Sequence, residues 1–387
     1  MPVSYLCTHC GASHSEDAPV WRCECGGLLE LAEPKAFAAL DIDADEPGLW
    51  RYAAALPAVP GRDRLRLGET MTPLFQNQRL QAWLKLDYLF PTGSYKDRGS
   101  AVLLSKLRTQ GIREAIEDSS GNAGASIAAY CAAGDIVCSI FVSARTSPAK
   151  LAQIKAYGAR LLLIDGDRSA VAAAAVEASS RMFYASHNWH PAFLAGVSSL
   201  GFELWEQFGY ESPDAIVVPC GQGGLVLGVA RAFQALELAG SISRVPRIFA
   251  VQAAAFPAIA EAFAGQLLSP RPTQHGTTVA EGIACRLPVR GAAVLRAVRW
   301  SDGKAICVTE HEIELALAEL LGCGHYVEPT SATALAGLRK LTASGDVDPV
   351  GRNVVVLTGS GLKAPAAIGE IMDRLPAHTP RTIPLRT

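Results

Sequence analysis

One lysine of this sequence lies where a turn meets a helix, in a position that suits chemistry on an aldehyde. The segment Pro91 to Gly99 reads PTGSYKDRG: its proline and glycine break regular structure, Ser94 can cap, and a helix follows through the apolar residues 101–104. Lys96 would lie in the first turn, where the helix dipole and Arg98 disfavour an ammonium and leave a nucleophilic amine for a Schiff base. A solvated loop lysine is the alternative, and for a lone lysine it is the more frequent one.

A second loop precedes the helix-like run that begins at Ala125, and it reads Ser119-Ser120-Gly121-Asn122-Ala123-Gly124. Its backbone amides and hydroxyls would point at whatever lies in front of that helix, which predicts a cradle for a carboxylate or a phosphate. Asn122 adds an amide that can donate a hydrogen bond to a phenolate oxygen. An ordinary helix cap with a glycine turn explains the same residues.

Two glycine-rich loops end strand-like runs nearer the carboxyl terminus. The first, Pro219-Cys220-Gly221-Gln222-Gly223-Gly224, opens a helix, and its three glycines let backbone amides converge on a phosphate. A dinucleotide site would need an acid about 20 residues on, after another strand. Glu237 lies instead in an apparent helix, so phosphate binding without a nucleotide is favoured. The second loop, Leu357 to Lys363, places the Thr358 hydroxyl at the crevice, although a plain turn explains it equally well.

Short β-branched runs alternate with helical patterns after residue 66 and would carry these loops. The runs suit buried parallel strands at residues 137–142, 161–164, 215–218, 247–251 and 353–357. Helical patterns lie between them at residues 147–157, 170–181 and 226–238. This alternation predicts α/β layers with parallel sheets, whose ligands bind at the turns that follow the strands. Residues 33–66 mix alanine-rich helix with prolines and are interpreted as a linking arm.

The bulk composition excludes several classes of partner. The chain has 387 residues, 49% of them hydrophobic and 19% charged, which is enough for two domains with cores of their own. A net charge of −2 without a basic stripe argues against nucleic acid and anionic lipid. No run reaches the roughly 20 apolar residues of a membrane span, and no signal pattern is present. We therefore expect small-molecule partners.

Ten cysteines divide into two groups. Six lie singly in apolar surroundings, as reduced core cysteines do, and they predict a cytoplasmic protein: Cys131, Cys138, Cys220, Cys285, Cys307 and Cys323. The other four form the pairs Cys7-Thr8-His9-Cys10 and Cys23-Glu24-Cys25, each followed by glycine, a spacing that suits tetrahedral zinc. Free thiols or a ribbon without metal are the alternative, because the second pair is tighter than usual. Without a basic patch, a structural role is favoured over nucleic-acid binding.

Together the four loops resemble, in order and spacing, fold-type II pyridoxal-phosphate enzymes, and more narrowly the threonine synthase branch. Leu67-Gly68-Glu69 with Thr72-Pro73-Leu74 is similar to the entry motif of that branch, and Glu328-Pro329-Thr330-Ser331-Ala332 to a later one. A cysteine ribbon that ends in Cys-Gly-Gly also occurs there. The resemblance covers most of the chain.

The resemblance implies an α/β fold like that of the tryptophan synthase β-subunit, with two open parallel-sheet domains and a short ribbon that carries the four N-terminal cysteines. The ribbon would span residues 1–32, the large cofactor-binding domain residues 33–100 and 195–387, and the small domain that covers the active site residues 101–194. Homodimers are common in this fold, but no interface follows from the sequence.

The resemblance also implies a role for each loop. Lys96 would form the Schiff base with pyridoxal phosphate and then act as the general base at the substrate α-carbon. Asn122 would contact the ring oxygen, and neutral Thr358 the pyridine nitrogen, which suits elimination and replacement chemistry. The cofactor phosphate would be held by Gly221, Gln222, Gly223 and Gly224. The substrate carboxylate would be received by Ser119, Ser120, Ala123 and Gly124.

One stretch departs from the threonine synthase pattern, whose enzymes convert O-phosphohomoserine to threonine and phosphate. The Gly-x-Lys-Thr element of the family is here Gly196-Val197-Ser198-Ser199, and Asn188 or His190 fills the place of its asparagine. Asn188, His190 and Ser198 are therefore the candidates for contact with the distal part of the substrate. Further candidates are His275, Arg286 and Arg290.

Three hypotheses follow for the function. The first is a threonine synthase-like lyase that acts on O-phosphohomoserine by γ-elimination and β-addition of water. The second keeps the cofactor but performs β-elimination or β-replacement on another activated amino acid, such as a phosphoserine-type or acylated serine substrate. The third is a non-catalytic protein on the same fold that binds zinc or another ligand, since fold alone does not decide function.

Overall fold

A computed structural model of the chain describes residues 4–269 and 276–375. Its strands, in chain order, are β1 (Ser4–Cys7), β2 (Ser13–Ser15), β3 (Leu29–Leu31), β4 (Leu74–Asn77), β5 (Ala82–Lys85), β6 (Glu114–Glu117), β7 (Val137–Ser143), β8 (Arg160–Ile164), β9 (Phe183–Tyr184), β10 (Ala215–Pro219), β11 (Arg247–Ala253), β12 (Ala305–Val308) and β13 (Asn353–Val356). They form three sheets, one of them in the N-terminal ribbon.

Helices cover the sheets and connect the strands. They are α1 (Lys96–Thr109), α2 (Asn122–Ala133), α3 (Pro148–Ala156), α4 (Arg168–Ala178), α5 (Pro191–Val197), α6 (Ser199–Gln207), α7 (Gly224–Leu238), α8 (Ala258–Phe263), α9 (Gly291–Trp300), α10 (Glu310–Gly322), α11 (Pro329–Ala343) and α12 (Pro365–Arg374). Short 3-10 helices lie at Ala39–Asp41, Leu49–Ala55, Gly61–Asp63, Asp87–Leu89, Glu281–Ile283 and Gly361–Lys363. The linking arm thus contains 3-10 turns where an alanine-rich helix was expected, because Pro47, Pro57 and Pro60 interrupt it.

The largest sheet has the strand order β12-β11-β10-β13-β5-β4. Its strands are parallel except for β4, which pairs antiparallel with β5 at one edge. Alternate residues of its central strands face two different cores: Ile216, Val218 and Val354 belong to one, and Val217 and Val355 to the other. Because helices cover both faces, residues 215–219 of β10 and 354–356 of β13 are all apolar, as the sequence predicted.

The second sheet is fully parallel, with the order β8-β7-β6-β9. In both parallel sheets the loops predicted to bind ligands follow the carboxyl ends of strands. Ser119 to Gly124 follows β6, Gly221 to Gly224 follows β10, and Thr358 follows β13. The predicted fold class is therefore confirmed.

Two predicted domain boundaries fall inside helices. The boundary after residue 100 lies within α1 and the one after residue 194 within α5, and these two helices pack against each other. The division into a large and a small domain stays a prediction. Within residues 4–269 and 276–375, no helix has both the length and the apolar character that a membrane crossing requires.

Candidate active site

Lys96 is the first residue of α1, and its turn is bonded directly onto the Thr358 loop. The backbone N–H of Tyr95 donates to the carbonyl of Thr358 at 2.9 Å, and Ser94 forms a β-bridge with Gly359. This pairing brings two segments that lie more than 250 residues apart in sequence to one point. The lysine is thereby placed at the carboxyl edge of the large sheet.

The cap of this helix differs from the sequence prediction. Ser94 caps nothing: its hydroxyl is buried and has no partner among the described residues. The turn is closed instead by Asp97, whose carboxylate accepts the backbone N–H of Thr92 at 2.8 Å and its hydroxyl at 2.5 Å. The prediction was wrong because a carboxylate within the first turn can satisfy two donors of the turn at once, which a serine hydroxyl cannot.

Arg98, two residues after the lysine, lies in a closed cluster of buried charge. Its guanidinium donates to both carboxylate oxygens of Asp87 at 2.8 Å and to Glu203 at 2.7 Å. Lys85 Nζ meets the other oxygen of Glu203 at 2.5 Å. Burial opposes the charge of Glu203, but Arg98 and Lys85 outweigh it and lower the pKa of Glu203 to about 2. The charge of Arg98 is therefore compensated within this cluster. The sequence analysis had expected this charge to act on Lys96.

Aromatic and acidic side chains surround the Lys96 amine. Its Nζ lies 4.8 Å from the ring centroid of Tyr95 and 5.7 Å from that of Phe193. Its charge is also felt by two neighbours, since it opposes the raised pKa of Glu328 and lowers that of His187. The lysine thus lies in a mixed pocket with one acid and one imidazole close by.

Asn122 begins α2, and its side chain is held by Glu328. The sequence analysis placed Glu328 in a family motif but gave it no role. The side-chain amide donates to both oxygens of Glu328, at 3.1 Å and 2.9 Å. Burial raises the pKa of Glu328, while Asn122, Lys363 and Lys96 oppose the rise. The pair joins the loop after β6 to the start of α11, and so connects the edges of the two parallel sheets.

Thr358 is buried and oriented by Ser331. The two hydroxyl oxygens lie 3.1 Å apart, and Ser331 Oγ also accepts the backbone N–H groups of Thr358 at 2.9 Å and Gly359 at 3.0 Å. Ser331 therefore anchors the loop that carries Thr358. Sequence reasoning missed this anchor, because 27 residues separate the two hydroxyls.

The glycine loop after β10 packs so closely on its neighbours that two of its positions accept only glycine. A Cβ at Gly221 would lie 2.9 Å from the Cα of Ile283, and one at Gly223, whose φ is +86°, only 2.1 Å from Val294 Cγ2. The Gln222 side chain is engaged elsewhere, accepting the backbone N–H of Val289 at 2.9 Å. The loop therefore offers backbone amides at the N-terminus of α7, the 15-residue helix that begins at Gly224.

The groups present fit pyridoxal phosphate, the cofactor that the resemblance implies. A side-chain amine, an amide donor and a neutral hydroxyl lie at loops that the hydrogen bonds draw to one edge of the large sheet. The glycine loop at the N-terminus of α7 supplies backbone donors for a phosphate. Lys96, Asn122, Thr358 and the Gly221 to Gly224 loop are thus the residues that would hold the cofactor.

The loop predicted to receive the substrate carboxylate turns tightly in front of α2. Ser119 Oγ accepts the backbone N–H of Gly121 at 3.3 Å, and both Ser119 and Ser120 remain half-buried. Ala123 and Gly124 lie buried in the first turn of the helix, where Gly124 packs on the Ser119 carbonyl. Their contact with a carboxylate stays a prediction.

The three candidates for the distal part of the substrate have structural partners. The Asn188 carbonyl accepts a hydrogen bond from Arg290 at 3.1 Å. His190 is buried and caps α5, with its Nδ1 accepting the Ala192 N–H at 3.1 Å, and burial lowers its pKa to about 3. Buried Ser198 donates to the Ala195 carbonyl at 2.6 Å. Their role in substrate binding stays a prediction.

Of the other candidates for the distal contact, Arg286 is exposed and Arg290 is buried. Arg290 is buried and donates to the carbonyls of Asn188, Trp189 and Leu29, the last of which belongs to the ribbon. It therefore joins the N-terminal ribbon to the segment before α5. His275 lies outside the described residues.

A cluster that sequence reasoning did not single out lies at the end of β6. Glu117 accepts a hydrogen bond from His187 Nδ1 at 2.6 Å, and Arg168 pairs with Asp118 at 2.7 Å. Burial raises the pKa of Glu117 to about 7 and, with help from Glu117, that of Asp118 to about 6. The available signal was two acids placed between an apolar run and the Ser119 loop, where buried parallel strands rarely carry charge.

The four N-terminal cysteines come together in the ribbon. Their sulfur atoms all lie within 4.8 Å of one another, with Cys7 and Cys25 at 3.5 Å and Cys10 and Cys23 at 3.6 Å. Zinc–sulfur bonds of about 2.3 Å in a tetrahedron put the sulfurs about 3.8 Å apart, so the arrangement fits zinc. His14 lies next to this cluster, with its Nε2 3.3 Å from Cys23 Sγ.

Comparison with known proteins gives a consistent result. The family model for pyridoxal-phosphate-dependent enzymes matches residues 65–359. The chain is 32% identical over 376 residues to a threonine synthase of Methanocaldococcus jannaschii, covering 93% of both, and 32% identical over 386 residues to one of Methanosarcina acetivorans, covering 95% of this chain and 94% of that one.

Among solved structures, a fungal L-serine ammonia-lyase from Rhizomucor miehei is similar with a TM-score of 0.69, over 79% of this chain and 98% of that one. Its sequence identity of 21% supports a shared fold alone. The family model and the two relatives confirm the resemblance drawn from the four loops.

Proposed function

This chain belongs to the family of pyridoxal-phosphate-dependent enzymes, and we propose that it is a threonine synthase-like lyase that converts O-phosphohomoserine to threonine and phosphate. The observation that carries the proposal is the bonding of the Lys96 turn onto the Thr358 loop, at the edge where Asn122 and the glycine loop also lie. Relatives at 32% identity over nearly the whole chain are named threonine synthase.

Each residue of the site has a defined task in this proposal. Bound pyridoxal phosphate supplies the electron sink that makes the substrate α-carbon acidic. Lys96 removes and returns protons at that carbon, Thr358 accepts or donates a single neutral hydrogen bond, and Asn122 donates its amide. The Ser119 to Gly124 loop at the start of α2 binds the substrate carboxylate through backbone N–H groups.

A second candidate is favoured by one observation at the distal side. Ser198 stands where the family carries a lysine, and its buried hydroxyl is used within α5. Without that lysine the distal site has one positive charge fewer for a doubly charged phosphate. This supports β-elimination or β-replacement on another activated amino acid, such as a phosphoserine-type or acylated serine substrate.

One assay separates these candidates. The purified holoenzyme is incubated with O-phosphohomoserine, O-phosphoserine and O-acetylserine, while phosphate, ammonia, 2-oxo acid and amino-acid products are measured together. Release of phosphate with threonine supports the first proposal, whereas absence of both at saturating O-phosphohomoserine contradicts it. Turnover of a serine-type substrate would then establish the second.

A control tests whether the protein is an enzyme of this family in practice. Borohydride treatment of the holoenzyme should fix the cofactor on Lys96, which peptide mass analysis detects, and Lys96→Ala should abolish both the labelling and turnover. Lys363→Ala serves as the matched control, because Lys363 is half-buried like Lys96 but bonds Gln153 at 2.8 Å. Labelling elsewhere would support the non-catalytic alternative.

We also propose that Cys7, Cys10, Cys23 and Cys25 hold a structural zinc ion. The ribbon has a small core of its own, so a metal would supply much of its stability. Metal analysis should find one zinc per chain in the native protein and a loss of it in Cys10→Ser. Cys323→Ser, outside the ribbon, should retain the metal. A native protein without zinc, and equally stable after chelation, would refute the proposal.

A further inference from the structure

A buried histidine–glutamate pair lies beside Lys96 and has no task in the function proposed above. Glu117 is the last residue of β6, and His187 follows the neighbouring strand β9 by three residues. The two strands are parallel and in register, with Ile116 opposite Tyr184. Both side chains therefore lie at the carboxyl edge of the second sheet, directly before the Ser119 loop that is proposed to bind the substrate carboxylate.

Glu117 fixes the orientation of the imidazole through two hydrogen bonds. One carboxylate oxygen is 2.6 Å from His187 Nδ1, and the other accepts the backbone N–H of His187 at 3.2 Å. Above the pKa of Glu117, about 7, the carboxylate is ionised and only accepts hydrogen bonds, so Nδ1 then carries the proton. The lone pair then lies on Nε2, which has no hydrogen-bond partner within residues 4–269 and 276–375.

The imidazole and the Lys96 amine share one aromatic neighbour. The centroid of the Phe193 ring is 5.9 Å from that of His187 and 5.7 Å from Lys96 Nζ. About 10% of the His187 side chain remains exposed, while Glu117 is fully enclosed. The histidine therefore keeps some access to solvent, and the glutamate can act only through the histidine.

The surrounding charges favour a neutral imidazole. Burial, and after it the charge of Lys96, hold the pKa of His187 well below its usual range; Arg168 acts in the same direction and Asp118 opposes. A neutral imidazole with its proton on Nδ1 is a proton acceptor at Nε2.

A metal-cation site is the alternative interpretation of this cluster, and the contact of Arg168 with Asp118 argues against it. The ligand atoms of Glu117, Asp118 and His187 lie within 4.8 Å of one another. However, Arg168 pairs with Asp118 at 2.7 Å, and its guanidinium also donates to the Asp118 carbonyl. A bound guanidinium already supplies the positive charge that such a cation would bring.

We propose that His187 is the catalytic base for the nucleophile that adds to the substrate β-carbon, and that Glu117 positions it. The proposal rests on the function proposed above. An O–H or S–H bond of the nucleophile breaks, and the electron pair of that bond forms the new bond to the β-carbon. Nε2 of His187 takes the proton and later returns it to solvent. The α-carbon receives a proton from Lys96. The site is thereby suited to addition or replacement, and not to elimination alone.

The ratio of products tests this role. In His187→Asn the addition product should form about 100-fold more slowly, in line with the usual contribution of general base catalysis. Elimination should continue, so that ammonia and 2-oxo acid become the main products. His311→Asn, an exposed histidine on α10, is the matched control and should keep the native ratio. An unchanged product ratio in His187→Asn, whatever its overall rate, would overturn the proposal.

A spectroscopic readout tests the pair without any substrate. In holoenzyme labelled with 15N-histidine, which contains eight histidines, the His187 signals are those that disappear in His187→Asn. We expect a neutral ring protonated at Nδ1 at pH 8, where Glu117 is ionised. In Glu117→Gln, one of the two donors of His187 must face the amide NH2, so the ring should change its tautomer or hydrogen bonding. A ring protonated at Nε2 in the native enzyme would overturn the proposal.

These measurements also distinguish two kinds of failure. If the native holoenzyme turns over none of the substrates, the proposed function fails, while the tautomer measurement still decides whether His187 is built as a base. If substrates are consumed and the tautomer is as expected, but the product ratio does not respond to His187→Asn, then only the role of His187 fails.

Discussion

The structure holds two clusters of buried charge that use similar side chains to different ends. The closed cluster consists of Lys85, Asp87, Arg98 and Glu203. The open cluster consists of Glu117, Asp118, Arg168 and His187. Each contains two acids and two nitrogen bases, yet the pKa of Glu203 in the first is lowered to about 2, while that of Glu117 in the second is raised to about 7.

The difference comes from how completely each acid is compensated. In the closed cluster the four side chains are at most 1% exposed, and each acid faces at least one permanent cation at 2.5 to 2.8 Å. In the open cluster the sole permanent cation, Arg168, is 55% exposed and contacts Asp118 alone. One oxygen of Asp118 is buried without a partner in the described part of the chain. Full compensation keeps each group in the closed cluster charged, whereas partial compensation leaves groups in the open cluster that can exchange protons.

Breaking the closed cluster should have the largest effect. Arg98→Met would leave Asp87 and part of Glu203 charged and unpaired in the core, and we expect a loss of about 3–5 kcal/mol in the free energy of unfolding. Denaturant titration at pH 7 measures it. Arg352→Met, which removes an exposed pair with Glu211, should cost less than about 1 kcal/mol. Equal losses in the two variants would mean that the closed cluster adds nothing specific.

Removing the second cation of that cluster should cost less. Lys85→Met keeps the aliphatic stem and leaves Glu203 paired with Arg98, although the carbonyl of Thr72 loses a donor at 2.7 Å. Burial already lowers the pKa of Lys85, so its charge is expensive to keep. We expect a loss of about 1–3 kcal/mol by the same titration. A loss larger than that of Arg98→Met would reverse the assignment of Arg98 as the central cation.

The open cluster should be visible in the pH dependence of stability. The folded pKa of Glu117, about 7, lies above its ordinary 4.5, so its contribution is complete below pH 4.5 and is lost as the pH rises to 7. His187 has the opposite sign, because its lowered pKa makes stability fall as the pH drops below 6.5.

Glu117→Gln removes the first slope and leaves the second. Its free energy of unfolding should therefore rise more steeply with pH than that of the native protein, by about 2–3 kcal/mol between pH 4.5 and 7. Urea titrations at several pH values within this window measure the difference. Parallel curves for the two proteins would show that the pKa of Glu117 is not raised by folding, and would contradict the idea that its charge is only partly compensated.

The smallest effect is expected at the exposed edge of the open cluster. Arg168→Met removes the ion pair with Asp118, in which the arginine side chain is more than half exposed. Because water screens most of the energy of this pair, we expect a loss of at most about 1 kcal/mol in the free energy of unfolding. The effect should shrink in 0.5 M salt. The loss in Arg98→Met should change little with salt, and a similar salt dependence for both would erase the contrast between the clusters.

Much of the fold followed from local patterns. The runs at residues 215–218 and 354–357 are apolar at every position, and that pattern is typical of strands covered on both faces. The four loops and the cysteine pairs were recognisable because glycine, serine, lysine and cysteine at short spacing have few structural uses. The turn around Lys96 was less predictable, because Thr92 and Asp97 satisfy each other through geometry that a capping rule does not contain.

The residue types and their short-range spacing thus settled the α/β class, the family resemblance and the position of the lysine at a turn, since these depend on neighbours along the chain. Tertiary structure alone decided which charges meet. Glu203 reaches Lys85 across 118 residues, and His187 reaches Glu117 across 70. Whether a buried acid is neutralised or left able to exchange a proton depends on such distant partners, because electrostatic energy in a low-dielectric interior is set by atoms a few ångströms away and not by position in sequence.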